Sequence, residues 1–324
     1  MSGTRAGTSS RASRVTVPTQ PPPADPPQPG LSRRVRMRVK AEPYLFVLPT
    51  VILMAALLAV PIAMVLWYSL FDNVITNPNP EMVGFANYVE VLQDERFWTA
   101  VSNTLVFTLV SVAAHLILGL WFASMLNSPL LGRVTVTIAR TIYILPWLFT
   151  AAIVAVLWRL LLSPNGVVNY LLGLAGFDGR TEWLASPELA LGAVTFINIW
   201  AGYPFFMVSL LAGLQGIPAD LYEAAKVDGA GPIGRFLNVT LPQLKPIIIS
   251  MSLLDMIWTS QQFALIWMTT GGGPIDATEL LSTFTYKLAF SRYEFALAST
   301  SAVLVLLLSM ILAFFYVRHQ RARD

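Results

Sequence analysis

The sequence predicts an all-α, polytopic membrane protein with about six transmembrane helices. Three observations carry this. Of 324 residues, 55% are hydrophobic and only 12% are charged, whereas a soluble globule carries nearer a quarter charged. The mean hydropathy of +0.62 agrees. So little polar surface cannot cover a globule in water, and a bilayer removes the need to. Six apolar runs each exceed the roughly 20 residues needed to cross the hydrocarbon. Finally, the basic residues fall unequally on the two sides of those runs.

Residues 1–43 are a different material from the rest, rich in Ser, Thr, Arg, Gly and Pro, as in Pro26-Pro27-Gln28-Pro29-Gly30. Such a stretch buries too little apolar surface to fold and is expected to be a disordered cytoplasmic tail. It is not a secretory signal, because the first apolar run comes late and is too long. The runs cover 44–70, 98–126, 136–162, 189–214, 246–270 and 295–317, within a membrane domain at 44–318 that leaves 319–324 as a cytoplasmic end. The second, third and fifth hold Asn103, His115, Arg140, Arg159, Asp255, Gln261 and Gln262. Helices that face protein rather than lipid tolerate such residues. Three outer segments flank Phe85-Ala86-Asn87-Tyr88, Asn165-Gly166-Val167-Val168-Asn169 and Gly271-Gly272-Gly273-Pro274, and they are longer than simple turns. Trp67, Trp98, Trp158 and Trp267 lie near run ends and fit an interfacial belt.

Orientation follows from the basic residues. With the amino terminus in the cytoplasm, that side receives Arg33, Arg34, Arg36, Arg38, Lys40, Arg133, Arg140, Lys226, Arg235, Lys245, Arg318, Arg321 and Arg323. The outer side receives Arg96, Arg159, Arg180, Lys287 and Arg292. The excess obeys the positive-inside rule and places both termini in the cytoplasm.

The chain has no cysteine, which removes disulfides, thiolate metal sites and cysteine nucleophiles. Its two histidines, His115 and His319, are far apart, so no metal site is expected. His115, in the middle of an apolar run, reads as a packed, hydrogen-bonded group. No nucleophile–base set stands out, so the chain is not expected to be an enzyme. No nucleic-acid partner is expected either.

The longest cytoplasmic loop, about 215–243, has the local chemistry of two short helices and a sharp turn. Pro218 suits a first helical position, and Asp220 and Lys226 complement the helix dipole. Gly229 can end the first helix with positive φ. Pro232 can open the second helix and Pro242 close it. Glu223-Ala224-Ala225, Asp228-Gly229-Ala230, Phe236 and Thr240-Leu241-Pro242 together resemble the EAA loop of permease subunits in ABC importers. Asn103-Thr104-Leu105, Trp158 with Gly166 and Asn169, Trp200 with Pro204-Phe205, Ala212-Gly213-Leu214-Gln215 and Thr270-Gly271-Gly272-Gly273-Pro274 resemble the carbohydrate branch, of the maltose or glycerol-phosphate type. Two departures stand out: Ala264, where relatives often carry an acid, and Gly231-Pro232 in place of a serine-led turn.

The resemblance implies a type I ABC importer permease fold in a bacterial cell membrane. It implies a coupling helix docked on cytoplasmic ABC ATPase subunits through Glu223, Ala224, Ala225, Asp228, Gly229, Ala230, Phe236, Leu241 and Pro242. It also implies a second, different permease, an extracellular solute-binding protein, surrounding lipid and a carbohydrate-type solute. No Gly-x-x-x-x-Gly-Lys-Ser/Thr phosphate loop is present, so ATP and Mg would be bound by the partner ATPase and no cofactor by this chain. Asp255, Trp258, Thr259 and Gln262 share one face at helical spacing and, with Trp200 and Tyr203, are candidates for the solute path. An aromatic ring and hydrogen-bonding groups are what a sugar needs, although each residue singly reads as packing. A polyol, glycerol-phosphate compound or polyamine is the alternative solute. A secondary transporter is a further alternative, and it would show paired broken helices or an acidic cluster within the membrane.

Overall fold

The computed structural model describes residues 33–128, 130–177 and 180–321. The chain divides into two compact units, Met1–Leu58 and Ala59–Asp324. The described part of the first is helical throughout and belongs to α1 (Arg33–Tyr68). The helix is already formed at Arg33, the first described residue, and so extends ahead of position 44, where the good helix formers Arg, Lys, Met and Ala prolong the apolar run backwards. The remainder of the expected tail, 1–32, lies outside the described residues, as do 322–324 at the other end.

The second unit holds α2 (Ala86–Gln93), α3 (Glu95–Leu126), α4 (Arg133–Leu148), α5 (Ala151–Leu161), α6 (Val167–Leu174), α7 (Pro187–Gln215), α8 (Ala219–Val227), α9 (Pro232–Arg235), α10 (Leu241–Ser260), α11 (Ala264–Thr269), α12 (Leu281–Tyr286) and α13 (Phe295–Arg321). Among the described residues there is no strand, only an isolated bridge between Phe71 and Met82. Among the described residues five helices are long and apolar enough to cross a membrane, and six spans result if α4 and α5 count as one bent span.

Three expectations change. The third apolar run is not one helix: α4 and α5 meet at 97°. Pro146 removes a hydrogen bond one turn before the end of α4. Phe149 and Thr150 are then extended, and the Thr150 hydroxyl caps α5 by accepting from Ile153 N–H. The fifth run is likewise interrupted, between Ser260 and Ala264. There the freed Gln262 carbonyl accepts from the Ser282 hydroxyl at 2.8 Å. Pro242 does not close a helix, for Pro232–Ser260 runs as one rod. A π turn at Phe236–Thr240, whose last bond joins Leu241 N–H to Phe236 O, widens the rod where Pro242 brings a ring and no N–H.

Within this unit α3 packs chiefly on α7. With no hydrophobic drive between helices in lipid, close backbone approach at small residues does much of the work. A Cβ on Gly119 would lie 2.4 Å from Phe206 Cβ and 2.9 Å from Met207 N. Phe206, Met207, Leu210 and Leu244 are fully buried around that crossing.

The motifs in the segments between the spans act as pins. Asn87 donates to the Ser69 and Phe71 carbonyls, both at 2.9 Å. Asn169 donates to the Ser163 and Thr181 carbonyls and accepts from Trp183 Nε1 at 3.0 Å. Asn103 donates to the carbonyls of Asp276 and Glu279, and the Thr104 hydroxyl accepts from Leu281 N–H at 3.0 Å. The segment after α11 is thus tied to α3 through its second half, from Asp276 to Leu281, while Gly271 and Gly272 at its start take positive φ. Buried Glu279 pairs with Lys287, which also faces Asp276 at 3.7 Å.

Candidate functional site

Two features stand apart from packing. The first is the segment from α8 to the start of α10. α8 has no buried residue. Its C-terminus closes as a Schellman motif, with Gly229 N–H on the Lys226 carbonyl and Ala230 N–H on the Ala225 carbonyl. Gly229 sits at φ +79°, and open space surrounds the place of a Cβ. Conformation alone therefore demands glycine there. Glu223, Ala224 and Asp228 face outward, Ala225 and Ala230 are half-buried, and Val227 and Ile233 expose 88% and 76% of their surface. The segment is fastened by Tyr222, whose hydroxyl meets that of Thr240 at 2.9 Å. Phe236 and Leu241 are half-buried and Pro242 is exposed.

The second feature is a cavity of about 270 Å³ where both helix breaks converge. α4 and its break bring Pro146, Trp147 and Phe149; α7 brings Asn198, Gly202 and Phe205; α10 and its break bring Asp255, Trp258, Thr259 and Gln262. α3 adds His115. Irregular backbone at membrane depth is tolerated where it is buried in protein or lines a cavity, and both breaks meet that condition. Phe205 packs against Trp258 with centroids 5.4 Å apart and against Trp147 at 6.1 Å, making an aromatic wall. Trp258 remains 55% exposed. Opposite chemistry sits at the buried end. Asp255 Oδ2 lies 2.8 Å from His115 Nδ1, its Oδ1 accepts from the Thr259 hydroxyl, and His115 Nε2 lies 3.1 Å from the Asn198 carbonyl. Asn198 Nδ2 is buried and has no partner among the described residues.

Asp255, Trp258, Thr259 and Gln262 all line the cavity, the first three from α10 and Gln262 from the break after it rather than from a continuous helical face. Trp200 and Tyr203 do not line the cavity. At about 100° per residue they fall on roughly the opposite side of α7 from Asn198, Gly202 and Phe205. Trp200 packs edge-on against Trp158, and the Tyr203 hydroxyl donates to the Tyr143 carbonyl at 3.2 Å. His115 is hydrogen-bonded as expected, but it also faces the cavity. Asn198 was not singled out in the sequence, although, like His115, it is a polar residue inside an apolar run.

A family model for the binding-protein-dependent transport system inner membrane component matches residues 115–323. The trehalose/maltose transport system permease protein MalF of Thermococcus litoralis is 35% identical, over 90% of this chain and 98% of that protein. The sulfoquinovosyl glycerol transport system permease protein SmoG of Agrobacterium fabrum is 34% identical, over 86% of this chain and 90% of its own length. Among solved structures, a chain of a bacterial alginate ABC transporter in complex with an alginate pentasaccharide-bound periplasmic protein superposes with a TM-score of 0.77. Its sequence is 25% identical, with 89% of this chain and 98% of that one covered.

Proposed function

Because the chain belongs to the family of binding-protein-dependent transport system inner membrane components, and is therefore a non-catalytic ABC importer permease of the membrane, we propose that it forms half of the translocation path for a carbohydrate-type solute. In this reading the polar cavity at the two helix breaks is its solute site. The exposed α8 segment docks on a cytoplasmic ABC ATPase that binds ATP and Mg. A second, different permease supplies the other half, an extracellular binding protein delivers the solute, and both termini are cytoplasmic.

The observation that carries this is the cavity itself: an aromatic wall on one side and Asp255, Thr259 and Gln262 on the other. A flat apolar face and partners for hydroxyls are what a sugar ring requires. Coupling is supported by α8, which presents Glu223, Ala224 and the exposed Val227 outward on a conformationally locked turn. ATPase closure would shift this segment, and the continuous Pro232–Ser260 rod leads from it to Asp255, so a two-state change could travel to the cavity. Paired broken helices do not favour a secondary transporter here, since family membership settles the transport class.

The test is to purify the tagged chain from its host in mild detergent and identify its companions, beside the double variant Glu223→Lys with Gly229→Val. An ATPase and a second permease should copurify with the wild type. The variant should insert normally and shed the ATPase. A chain that purifies alone, with a variant that transports as well as the wild type, would sink the reading.

A further inference from the structure

We infer that His115 is a positioning residue that keeps the solute cavity free of net charge by sharing one proton with Asp255, so that the cavity admits uncharged polyhydroxy solutes and disfavours anionic ones. The inference rests on the reading of this cavity as the solute site and deepens it.

The argument is a donor count. The Asn198 carbonyl can only accept, so His115 Nε2, 3.1 Å away, carries a hydrogen. On the other side Nδ1 lies 2.8 Å from Asp255 Oδ2, while Asp255 Oδ1 already accepts from Thr259. With the first hydrogen on Nε2, a neutral imidazole would turn a lone pair toward a carboxylate oxygen. The contact is a hydrogen bond only if a second proton is present. That proton makes either imidazolium with carboxylate or neutral imidazole with carboxyl. Both arrangements have zero net charge.

The ring has no alternative place. His115 is 2% exposed, and a Cβ on Gly202 would lie 2.4 Å from Nε2, so the imidazole is seated on bare α7 backbone. Among the described residues, no titratable side chain besides His115 and Asp255 lines the cavity. On the helices packed around the pair, Tyr203 of α7 and Tyr143 of α4 meet each other. Arg140 of α4, Arg159 of α5 and Lys245 of α10 are absent from the lining. An anion entering would lose its hydration with no cation to replace it. An uncharged sugar meets the aromatic wall, Gln262 and Thr259.

The experiment uses the complete transporter in its host membrane, with labelled trehalose and its uronic-acid derivative as probes, across a range of pH. His115→Gln leaves Asp255 a buried, unpaired carboxylate. Trehalose uptake should fall about tenfold or more at neutral pH and recover as pH falls. Adding Asp255→Asn should recover part of the loss and flatten the pH profile, and uptake of the uronic acid should stay low throughout. His115→Gln with wild-type uptake at every pH, or a double variant that keeps the single variant's pH profile, overturns the inference. Wild-type complex that takes up no uncharged probe would instead count against the solute-site reading. The pair is then decided by isotope-edited infrared spectra of the purified chain. Imidazolium or carboxyl bands that vanish in His115→Gln support the shared proton, and a neutral ring beside a carboxylate overturns it.

Discussion

Gly202 and His115 lie so close together that a single added methyl group would collide with the imidazole. In Gly202→Ala the new Cβ meets Nε2 at 2.4 Å and Cε1 at 2.5 Å. The ring must leave the Asn198 carbonyl and Asp255, and a buried carboxylate loses its partner. Solute uptake should drop about tenfold or more while membrane insertion persists, as uptake assays alongside expression levels would show. Glu279, in the outer segment beyond the spans, makes a second residue-scale case. Burial raises its pKa against the opposing hydrogen bonds of Lys287 and Thr283. The folded chain therefore holds that proton more tightly than the unfolded chain. The resulting stability is fully present below the unfolded pKa and is lost as pH rises through the folded one. The unfolding midpoint of the detergent-purified wild type should rise relative to Glu279→Gln as pH falls through the mildly acidic range. Parallel midpoints in the two proteins would contradict this.

At the scale of the element, the turn after α8 and the breaks at the cavity are the places where backbone geometry carries function. Gly229→Val forces a β-branched residue to φ +79° in open space. The strain of roughly 1–2 kcal/mol falls on the turn alone, so ATPase copurification should weaken with no loss of the membrane domain's thermal stability. Gly229→Asn, which tolerates that region, should retain most of the partner. The outer segment between α11 and α12 depends on Asn103. Asn103→Ala removes both of its hydrogen bonds to that segment and should cost about 1–3 kcal/mol. Limited proteolysis from the outer side should then cut between 271 and 280 in the variant and spare the wild type.

For the whole molecule, the absence of cysteine makes the topology directly testable. Val227→Cys, on the exposed end of α8, and Ile75→Cys, in the exposed segment after α1, should fall on opposite sides of the membrane. An impermeant thiol reagent should label position 75 in intact cells and position 227 only after permeabilisation; the reverse pattern would invert the proposed orientation. The sequence by itself determined the membrane class, and its six apolar runs match the described helices if the bent α4–α5 pair counts as one span. Bilayer thickness and the cost of unpaired backbone groups translate directly into lengths of apolar chain. It also determined the turn at Gly229, which obeys local rules of backbone conformation, and the shared face of Asp255, Trp258 and Thr259 on α10, which obeys helical period, whereas Gln262 lies past the end of that helix. Tertiary structure alone decided where the helices break and what the breaks enclose. Pro146 and Pro242 look alike in the chain, yet one precedes a 97° bend and the other lies within one unbroken span, Pro232–Ser260. The difference lies in the π turn beside Pro242 and the cavity beside Pro146. Tertiary structure also turned Trp200 and Tyr203 away from the cavity and His115 into it. Periodicity says which residues share a face, whereas the packing of α3, α7 and α10 says which face looks inward.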